Sequence, residues 1–474
     1  MLFTSITFIC FFLPSVILGY YLVPNKYKNL FIFISSLIFY IWGEYKFVFL
    51  LLGTISINYL CCIAISKGYR KQGLWSAVCL SLGSLFFFKY ANFTYTNINE
   101  LLILLNLEST YTHLPPIVLP LGISFFTFQV LSYTIDVYRG TVHASKSFLN
   151  FATYVTLFPH LIAGPIVRYA HIESQLLVKK SSIIRFAQGA ERFIIGLAKK
   201  MIIANNFGII ADTAFNVNPE YISTGVAWIA AIAYTLQIFF DFSAYSDMAI
   251  GLARILGFDF HENFNYPYIS RSIKEFWRRW HISLSSWFRD YLYIPLGGNR
   301  VSSGRTYFNL LIVFTATGIW HGASWNFVVW GLWHGLFIVL ERAGGDRILS
   351  KLHKIIQHSY TLLIVIIGWV IFRSEDMGYT LEFIKRMVGI GTTDQIVYHT
   401  NSFFSIKNTI IFTISLILCL PTYTIIRDSF YKGLSVKNKQ IFSYYYYFSL
   451  LALLAFTIML ISQTTYNPFI YFRF

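Results

Sequence analysis

The stretch FVFLLLGTISINYLCCIAIS, residues Phe47–Ser66, has no charged side chain. A transmembrane α-helix needs about 20 mostly apolar residues, because that length spans the hydrocarbon core of a bilayer. Apolar runs of this kind recur along the chain. They are Ile6–Leu22, Leu30–Trp42, Phe47–Ser66, Leu74–Phe88, Ile117–Val137, Phe148–Val167, Val226–Phe240, Leu310–Ile319, Phe327–Leu340, Leu362–Phe372, Ile406–Leu420 and Phe442–Ile461. The pattern predicts an all-α, multi-pass integral membrane protein with about ten to twelve transmembrane helices.

The composition of the whole chain indicates the same class. Of its 474 residues, 56% are hydrophobic and only 12% are charged, against roughly 25% charged in an average soluble domain. This excludes a disordered chain, a coiled coil and a disulfide-stapled secreted domain. Because no long polar linker divides the sequence, residues 1–474 are predicted to form a single integral membrane domain.

The net charge of +16 would raise nucleic-acid binding in a soluble protein. Here the basic residues cluster in short loops between apolar runs, so the positive-inside rule explains them, and we expect membrane lipids but no nucleic acid as partners. Residues 271–305 carry seven basic and two acidic side chains, which places this segment in the cytoplasm. Following the later spans from there predicts an extracytoplasmic C-terminus.

Two segments are predicted to depart from simple spans. Residues 181–206 alternate basic and apolar side chains at helical spacing, which is typical of an interfacial amphipathic helix. Residues 309–340 contain short, glycine-punctuated apolar runs and are expected to be partly re-entrant. The five cysteines lie in apolar runs without the spacing of metal ligands, so no metal site is predicted.

Ionisable residues inside apolar sequence are costly and therefore mark candidate functional positions. His321 lies in GIWHGASW, where its imidazole could take a proton from a hydroxyl and return it to a leaving group. The alternative is a buried histidine bonded to a backbone carbonyl. His334, in a second WHG thirteen residues later, would lie on another face of a continuous helix and is interpreted as structural.

The segment FWRRWHISLSSWFRD, which contains Arg278, Arg279, Trp280 and His281, permits two interpretations. Arginines among tryptophans form interfacial belts, but arginines also bind phosphates in a bidentate manner. A phosphate-rich donor such as coenzyme A would need this kind of basic entrance. The sequence leaves both interpretations open.

The carboxylates of Asp241 and Asp247 follow an apolar run in QIFFDFSAYSD. They could bind an ion in a transporter, act as general acids, or pair with the arginines of the segment FWRRWHISLSSWFRD, which follows them in the chain. We favour the last interpretation. The aromatic segment 469–474, FIYFRF, predicts either an interfacial anchor or a tail that inserts into a cavity.

Together these motifs resemble those of the membrane-bound O-acyltransferase family. The chain is most similar to the bacterial branch with the alginate O-acetylation membrane subunit and the peptidoglycan O-acetyltransferases; the membrane subunit of teichoic-acid D-alanylation is more distant. The stretches that carry the resemblance are EFWRRWHISLSSWFRDYLYIPLGGNR, GIWHGASWNFVVWGLWHG, GISFFTFQVLSYTIDVYRG, FPHLIAGPIVR and QIFFDFSAYSDMAIG.

The resemblance implies a ring of helices around a central tunnel that admits an acyl donor from the cytoplasm. It implies that His321 is the catalytic base and that His281 lies on the donor side. Segment 469–474 is similar to a Phe-x-Tyr-x-x-Phe motif of related systems, which implies that Tyr471 holds the acyl group transiently. The residues that we expect to contribute to substrate or donor binding are Arg278, Arg279, Trp280, Trp320, Asn299, Asp241 and Ser243.

The activity that we expect from the resemblance is O-acetylation of a cell-envelope polysaccharide, such as peptidoglycan or alginate, at the bacterial cytoplasmic membrane. Acetyl-CoA is the expected donor, no cofactor is permanently bound, and a periplasmic or extracellular SGNH-type O-acetyltransferase is the expected partner. One alternative is transfer of D-alanine or another acyl group from a phosphopantetheine-linked carrier protein to teichoic acid. A secondary transporter is a further alternative, although the chain lacks the internal repeat that this class predicts.

Overall fold

The computed structural model describes residues 1–107, 115, 117–391, 396–464 and 466–468. Those residues form α-helices and connecting segments and contain no β-strand. The helices are α1 (Leu13–Leu22), α2 (Lys28–Glu44), α3 (Val48–Ser66), α4 (Arg70–Leu104), α5 (Ile123–Arg139), α6 (Phe148–Thr156), α7 (Phe158–Leu161), α8 (Tyr169–Leu177), α9 (Ile183–Ala198), α10 (Asn205–Phe215), α11 (Thr224–Ile255), α12 (Ile273–Arg279), α13 (Ile282–Phe288), α14 (Ser303–His321), α15 (Trp325–Leu340), α16 (Asp346–Leu349), α17 (Lys354–Arg373), α18 (Met377–Met387), α19 (Ile406–Leu418), α20 (Thr422–Gly433) and α21 (Val436–Gln463). The predicted all-α class is confirmed.

Within the part of the chain that the structure describes, seven helical stretches are long and apolar enough to cross a bilayer. They are Asn25–Ser66, Arg70–Leu104, Ile183–Phe215, Thr224–Ile255, Trp325–Leu349, Lys354–Arg373 and Lys437–Gln463. Two shorter apolar helices, Thr7–Leu22 and Ile406–Leu418, accompany them. The first stretch contains two helices, α2 and α3. They are separate because the backbone leaves the helical conformation at Glu44, with φ −143° and ψ 50°. The multi-pass architecture is therefore confirmed, and the number of crossings stays a prediction.

One apolar run that the sequence predicted as a span folds differently. Residues 148–167 form α6, α7 and an irregular segment, because Pro159 and the Gly164-Pro165 pair interrupt regular helix. The segment is almost wholly buried. Protein therefore covers its irregular backbone, which is the condition for such a structure at membrane depth.

Residues 181–206, for which the sequence predicts an interfacial amphipathic helix, belong to a longer helical stretch in the structure, and their placement at the membrane interface stays a prediction. A continuous stretch of helical turns, Ile183–Phe215, runs through α9 and α10 and packs against α11. The two helices come close because they meet through glycines: a Cβ added to Gly189 would lie 2.6 Å from the carbonyl oxygen of Gly251. Three basic residues of this stretch, Arg192, Lys199 and Lys200, form ion pairs with α11, and Lys200 is buried.

Ion pairs connect this stretch to α11. Lys200 Nζ lies 2.7 Å from Asp241 Oδ1, and the two side chains are only 4% and 2% exposed. Asp247 accepts from Arg192 at 2.9 Å and from Lys199 at 2.7 Å. The prediction that these carboxylates pair with the arginines of residues 271–305 is therefore wrong. The sequence placed the right charges in the interior but assigned them the wrong partners.

The Trp- and Arg-rich segment after α11 enters the protein interior as two short helices. Ser272 caps α12 through the backbone N–H of Glu275, and α13 begins after His281. His281 has a φ of 42°, in the left-handed region, so the chain bends sharply between the two helices. Because Trp280 and His281 lie at this bend, both side chains point into the core and are buried.

The region that was expected to be partly re-entrant, residues 309–340, folds as the hairpin of α14 and α15. Its two helices pack backbone to backbone. A Cβ on Gly318 would lie 2.1 Å from the carbonyl oxygen of Phe327, and one on Gly331 would lie 2.3 Å from that of Phe314. These glycines therefore hold the end of α14, which carries His321, against α15.

This packing predicts the effect of adding a single methyl group. Gly331→Ala should destabilise the protein by about 1–3 kcal/mol, because the new methyl overlaps a backbone carbonyl that cannot rotate away. Gly83→Ala in α4 is the matched control, since nothing lies within 4 Å of the added Cβ. Thermal unfolding of the purified variants in detergent, followed by tryptophan fluorescence, measures the difference. An unchanged midpoint for Gly331→Ala would contradict the close packing of the hairpin.

Candidate active site

His321 is the last residue of α14, and Gly322 leaves the helix in extended conformation. The imidazole is surrounded by aromatic rings: its centroid lies 4.9 Å from that of Trp320, 5.1 Å from Trp330 and 5.2 Å from Phe372. The residue is 8% exposed. The ring is therefore held firmly in an environment with little water.

A cavity of about 120 Å³ opens beside His321. Residues from α2, α4, the segment before α5, the first turn of α5, the segment after α7, and α14 line it. They are Glu44, Lys89, Leu119, Pro120, Leu121, Gly122, Ile123, Ser124, Phe125, Ile162, Trp320 and His321. We call this space the His321 cavity. An engineered cavity of about 150 Å³ holds benzene, so the His321 cavity has room for a group of a few non-hydrogen atoms.

His281 also lies beside Trp320. Its ring centroid is 6.3 Å from that of Trp320 and 4.5 Å from that of Phe242 in α11. The indole of Trp320 thus contacts both histidines. Two imidazoles that both contact one indole in an aromatic core form a candidate site.

Asn263 fixes the orientation of the His281 ring. Its Oδ1 atom accepts from the backbone N–H of Ser283 at 3.1 Å and from the Ser283 hydroxyl at 2.8 Å, which identifies that atom as the amide oxygen. His281 Nδ1 lies 3.3 Å from the same oxygen. Because an amide oxygen only accepts, Nδ1 carries the proton and Nε2 keeps its lone pair.

The structure does not bring every predicted site residue to the two histidines. Trp280 packs with Trp369 in an aromatic cluster. Arg279 pairs with Glu275 at 2.9 Å and also donates to the carbonyl of Asn265, whereas Arg278 is exposed. None of these residues lines the His321 cavity.

Asn299 belongs to a separate polar cluster at the start of α14. It accepts from the hydroxyl of Tyr293 and, at 2.8 Å, from Arg342 Nη1. Arg342 follows α15, so this cluster lies where the hairpin begins and ends. His321 is at the opposite end of α14, about 28 Å away along a helix of 19 residues.

The residues of α11 lie close to the site without lining the cavity. Asp241 forms the buried pair with Lys200, and the next residue, Phe242, contacts His281. Ser243 is buried, and its hydroxyl has no hydrogen-bond partner among the described residues. Through Phe242, α11 therefore supports His281.

Sequence reasoning missed two charged residues of the cavity, Glu44 and Lys89. Lys89 Nζ donates to the main-chain carbonyls of Trp320 at 2.6 Å and His321 at 3.0 Å. The apolar run that the sequence indicated ends at Phe88, so Lys89 was placed beyond the span. In the structure α4 continues to Leu104, and a lysine in mid-helix is the signal that could have identified it.

Tyr471 lies outside the described residues, but three residues before the tail are described. The hydroxyl of Tyr466 donates to Asp212 Oδ2 at 2.7 Å, and Asn467 Nδ2 donates to Thr4 Oγ1 at 2.7 Å. Lys200 Nζ donates to the carbonyl of Pro468. The chain before the tail is thus bound beside the buried Lys200 and Asp241 pair.

Comparison with known proteins gives consistent matches. The family model MBOAT, membrane-bound O-acyltransferase family, matches residues 3–348. The probable alginate O-acetylase AlgI of Pseudomonas aeruginosa is 44% identical over 399 residues, which cover 83% of this chain and 76% of that protein. The peptidoglycan O-acetyltransferase of Helicobacter pylori is 36% identical over 430 residues, covering 82% and 80%. The teichoic acid D-alanyltransferase of Bacillus subtilis is 30% identical over 243 residues, covering 48% and 60%.

The geometry of His281 predicts a role for Asn263. Asn263→Ala removes the acceptor that selects the Nδ1–H tautomer, and losing one hydrogen bond of this kind should lower the catalytic rate about 5- to 100-fold. Asn265→Ala changes an exposed asparagine of the same segment and is the matched control. The rate of acyl transfer and the midpoint of thermal unfolding are measured for both variants. Wild-type turnover by Asn263→Ala would contradict the assigned role.

Proposed function

The chain belongs to the membrane-bound O-acyltransferase family and is an O-acyltransferase, and on this premise we propose that it transfers acetyl groups from acetyl-CoA for O-acetylation of a cell-envelope polysaccharide. The observation that carries the proposal is the placement of His321 at a cavity of about 120 Å³ inside a multi-pass membrane protein. A cavity of this size suits an acetyl group. Both the alginate O-acetylase and the peptidoglycan O-acetyltransferase described above match more than four-fifths of the chain, and both are named for O-acetylation.

In the proposed reaction His321 acts as general base. It removes the proton from an acceptor hydroxyl, the oxygen forms a bond to the acetyl carbon, and the carbon–sulfur bond of the thioester breaks. The imidazolium then gives its proton to the departing thiolate, so a free thiol leaves and His321 is restored. General base catalysis of this kind contributes typically 100- to 10,000-fold to a rate.

The aromatic surroundings of His321 support this chemistry physically. Trp320, Trp330 and Phe372 leave the ring little contact with water. Water excluded from the site cannot hydrolyse the thioester, and a ring held by packing keeps its reacting nitrogen in place. His281 is assigned to the donor side because it lies in the same segment as the basic residues.

We assign the basic loop region to the cytoplasm of a bacterial cell, as the positive-inside rule predicts. Arg278, exposed and close in sequence to His281, is then available to bind phosphates of coenzyme A, and Arg279 and Asn299 belong to the same proposed entrance. Trp280 would support this entrance from the core. In this orientation α14 begins on the donor side, and His321, at its other end, lies toward the opposite face of the membrane. We assign the C-terminus to that opposite face.

A tyrosyl relay is part of the proposal. Contacts with Asp212, Thr4 and Lys200 hold residues 466–468, and Tyr471 follows Pro468 by three residues. Three extended residues span at most about 11 Å, so the anchored segment limits where Tyr471 can act. The Tyr471 phenol would accept the acetyl group from the thioester. A sugar hydroxyl, presented by an extracytoplasmic SGNH-type partner, would then displace the phenol oxygen, which regains its proton.

A carrier-dependent D-alanyl transfer is the second candidate, because a teichoic acid D-alanyltransferase matches about half of the chain. The same histidine would serve either donor, since both are thioesters. The transporter alternative loses its support, because Asp241 and Asp247, its proposed ion ligands, pair with Lys200, Lys199 and Arg192.

The test is to incubate the purified protein with radiolabelled acetyl-CoA and to locate covalent label by peptide mass spectrometry. We expect label on Tyr471, none in Tyr471→Phe, and at least about 100-fold slower labelling in His321→Ala. His143→Ala and Tyr447→Phe, at exposed positions, are the matched controls.

Each other result contradicts a specific part of the proposal. Label that persists in Tyr471→Phe contradicts the relay but retains the acetyltransferase. Label obtained only from an acylated carrier protein contradicts acetyl-CoA as the donor. Equal labelling of wild type and His321→Ala contradicts the general base.

A further inference from the structure

Lys89 is a cation in the middle of an apolar helix. It occurs within α4, a 35-residue helix that is one of the candidate membrane spans. An ammonium at such a depth is costly, so a lysine there needs a strong compensating interaction or a function. Within the described ranges, no carboxylate lies within 4 Å of its nitrogen. Its charge is therefore not neutralised by a local ion pair.

The hydrogen bonds of Lys89 go to the C-terminal end of α14. The last carbonyls of a helix lack intrahelical partners and carry a partial negative charge. Lys89 Nζ donates to the carbonyls of Trp320 and His321. This contact fixes the main chain of His321 and reduces the negative potential at the edge of the His321 cavity.

Capping alone does not require a charge at this position. The neighbouring residue, Tyr90, donates its hydroxyl to the carbonyl of Ile319, the preceding residue of the same helix end. A neutral hydroxyl is therefore enough to cap one of the three successive carbonyls, those of Ile319, Trp320 and His321. Lys89 differs from Tyr90 in two respects, because its amine can take up a proton and become positively charged, and because it lines the His321 cavity.

An ammonium has three donors. Among the described residues its hydrogen-bond partners are the two carbonyls, which leaves one N–H for a ligand. When a hydroxyl oxygen adds to an acyl carbon, the carbonyl oxygen becomes an oxyanion. Without a cation, the partial charge of the α14 carbonyls would repel that oxyanion.

We propose that Lys89 is the oxyanion-binding group of the His321 cavity. The proposal deepens the function proposed above, on which it rests for the identity of the reaction. As the hydroxyl oxygen bonds to the acyl carbon and its proton passes to His321, the ammonium donates a hydrogen bond to the carbonyl oxygen. The oxyanion then re-forms the carbonyl as the carbon–sulfur bond breaks. The ammonium keeps all its protons throughout.

The ligand chemistry that follows is a small tetrahedral anion. We therefore choose methylphosphonate, a stable tetrahedral anion with a methyl group, as the probe. Binding to the full-length protein in detergent is measured by ³¹P line broadening, with no acyl donor present. The variants are Lys89→Gln, which keeps a donor but removes the charge, and Lys89→Arg, which keeps the charge. Tyr90→Phe is the matched control, because it removes a neutral cap of the same helix end.

We expect Lys89→Gln to weaken methylphosphonate binding about 10- to 100-fold, since a charge-assisted hydrogen bond is lost. Lys89→Arg and Tyr90→Phe should bind within about 3-fold of wild type, because each retains the cation. In acetyl transfer, Lys89→Gln should lower kcat about 100-fold, the scale of losing one oxyanion donor, with KM for acetyl-CoA unchanged.

Equal binding by wild type and Lys89→Gln, or no binding by either, overturns the proposal. Weakening in Tyr90→Phe equal to that in Lys89→Gln also overturns it, because the role is then only to cap α14. Since the binding assay contains no donor, it gives its answer even if acetyl-CoA proves to be the wrong substrate. Failure of acetyl transfer in wild type would contradict the proposed donor and leave the binding result intact.

Discussion

The pairing of charges between the Ile183–Phe215 stretch and α11 is the interaction on which the rest of the structure depends. A lone charge in a bilayer is costly, and removing one partner of a buried pair typically costs 3–5 kcal/mol. Lys200 and Asp241 form such a pair almost without exposure, and Asp247 adds two more contacts. This pairing holds α11 against α9, and α11 in turn places Phe242 against His281. The same lysine binds the carbonyl of Pro468, so the interior charge also determines where the tail begins.

Within this frame, the site contains two histidines that both contact the indole of Trp320. His281 is oriented by Asn263 at a bend between two short helices, and His321 ends a helix whose last carbonyls are capped by α4. The orientation of the His281 ring depends on Asn263, 18 residues earlier, and the helix end depends on donors from α4. Both features therefore depend on residues outside their own segments. The cavity at His321 is small, and its charged lining residues, Glu44 and Lys89, come from two helices that precede the signature motifs.

The sequence predicted the fold class, because the lengths of the apolar runs depend only on bilayer thickness. It also singled out His321, because a histidine stands out in an apolar run, and the family resemblance singled out His281. It could not assign the partners of Asp241 and Asp247, since pairing depends on which helices pack together. The basic residues of 181–206 indicated a surface helix for the same reason: their acidic partners lie about 50 residues away along the chain. The sequence did not identify Lys89 as a site residue, because the apolar run ends one residue before it, at Phe88. In the structure, the helix that contains this run continues to Leu104.

The most direct test of the central claim, that acyl transfer occurs at His321 in a cavity reached from the basic face, is a cryo-EM structure with a non-hydrolysable thioether analogue of acetyl-CoA. The account predicts the nucleotide at the basic loop region and the acyl group in the His321 cavity. Its carbonyl carbon should leave room for an acceptor oxygen at about 3–3.5 Å, within reach of the imidazole. An analogue bound from the opposite face, or with its acyl group away from His321, would contradict the account.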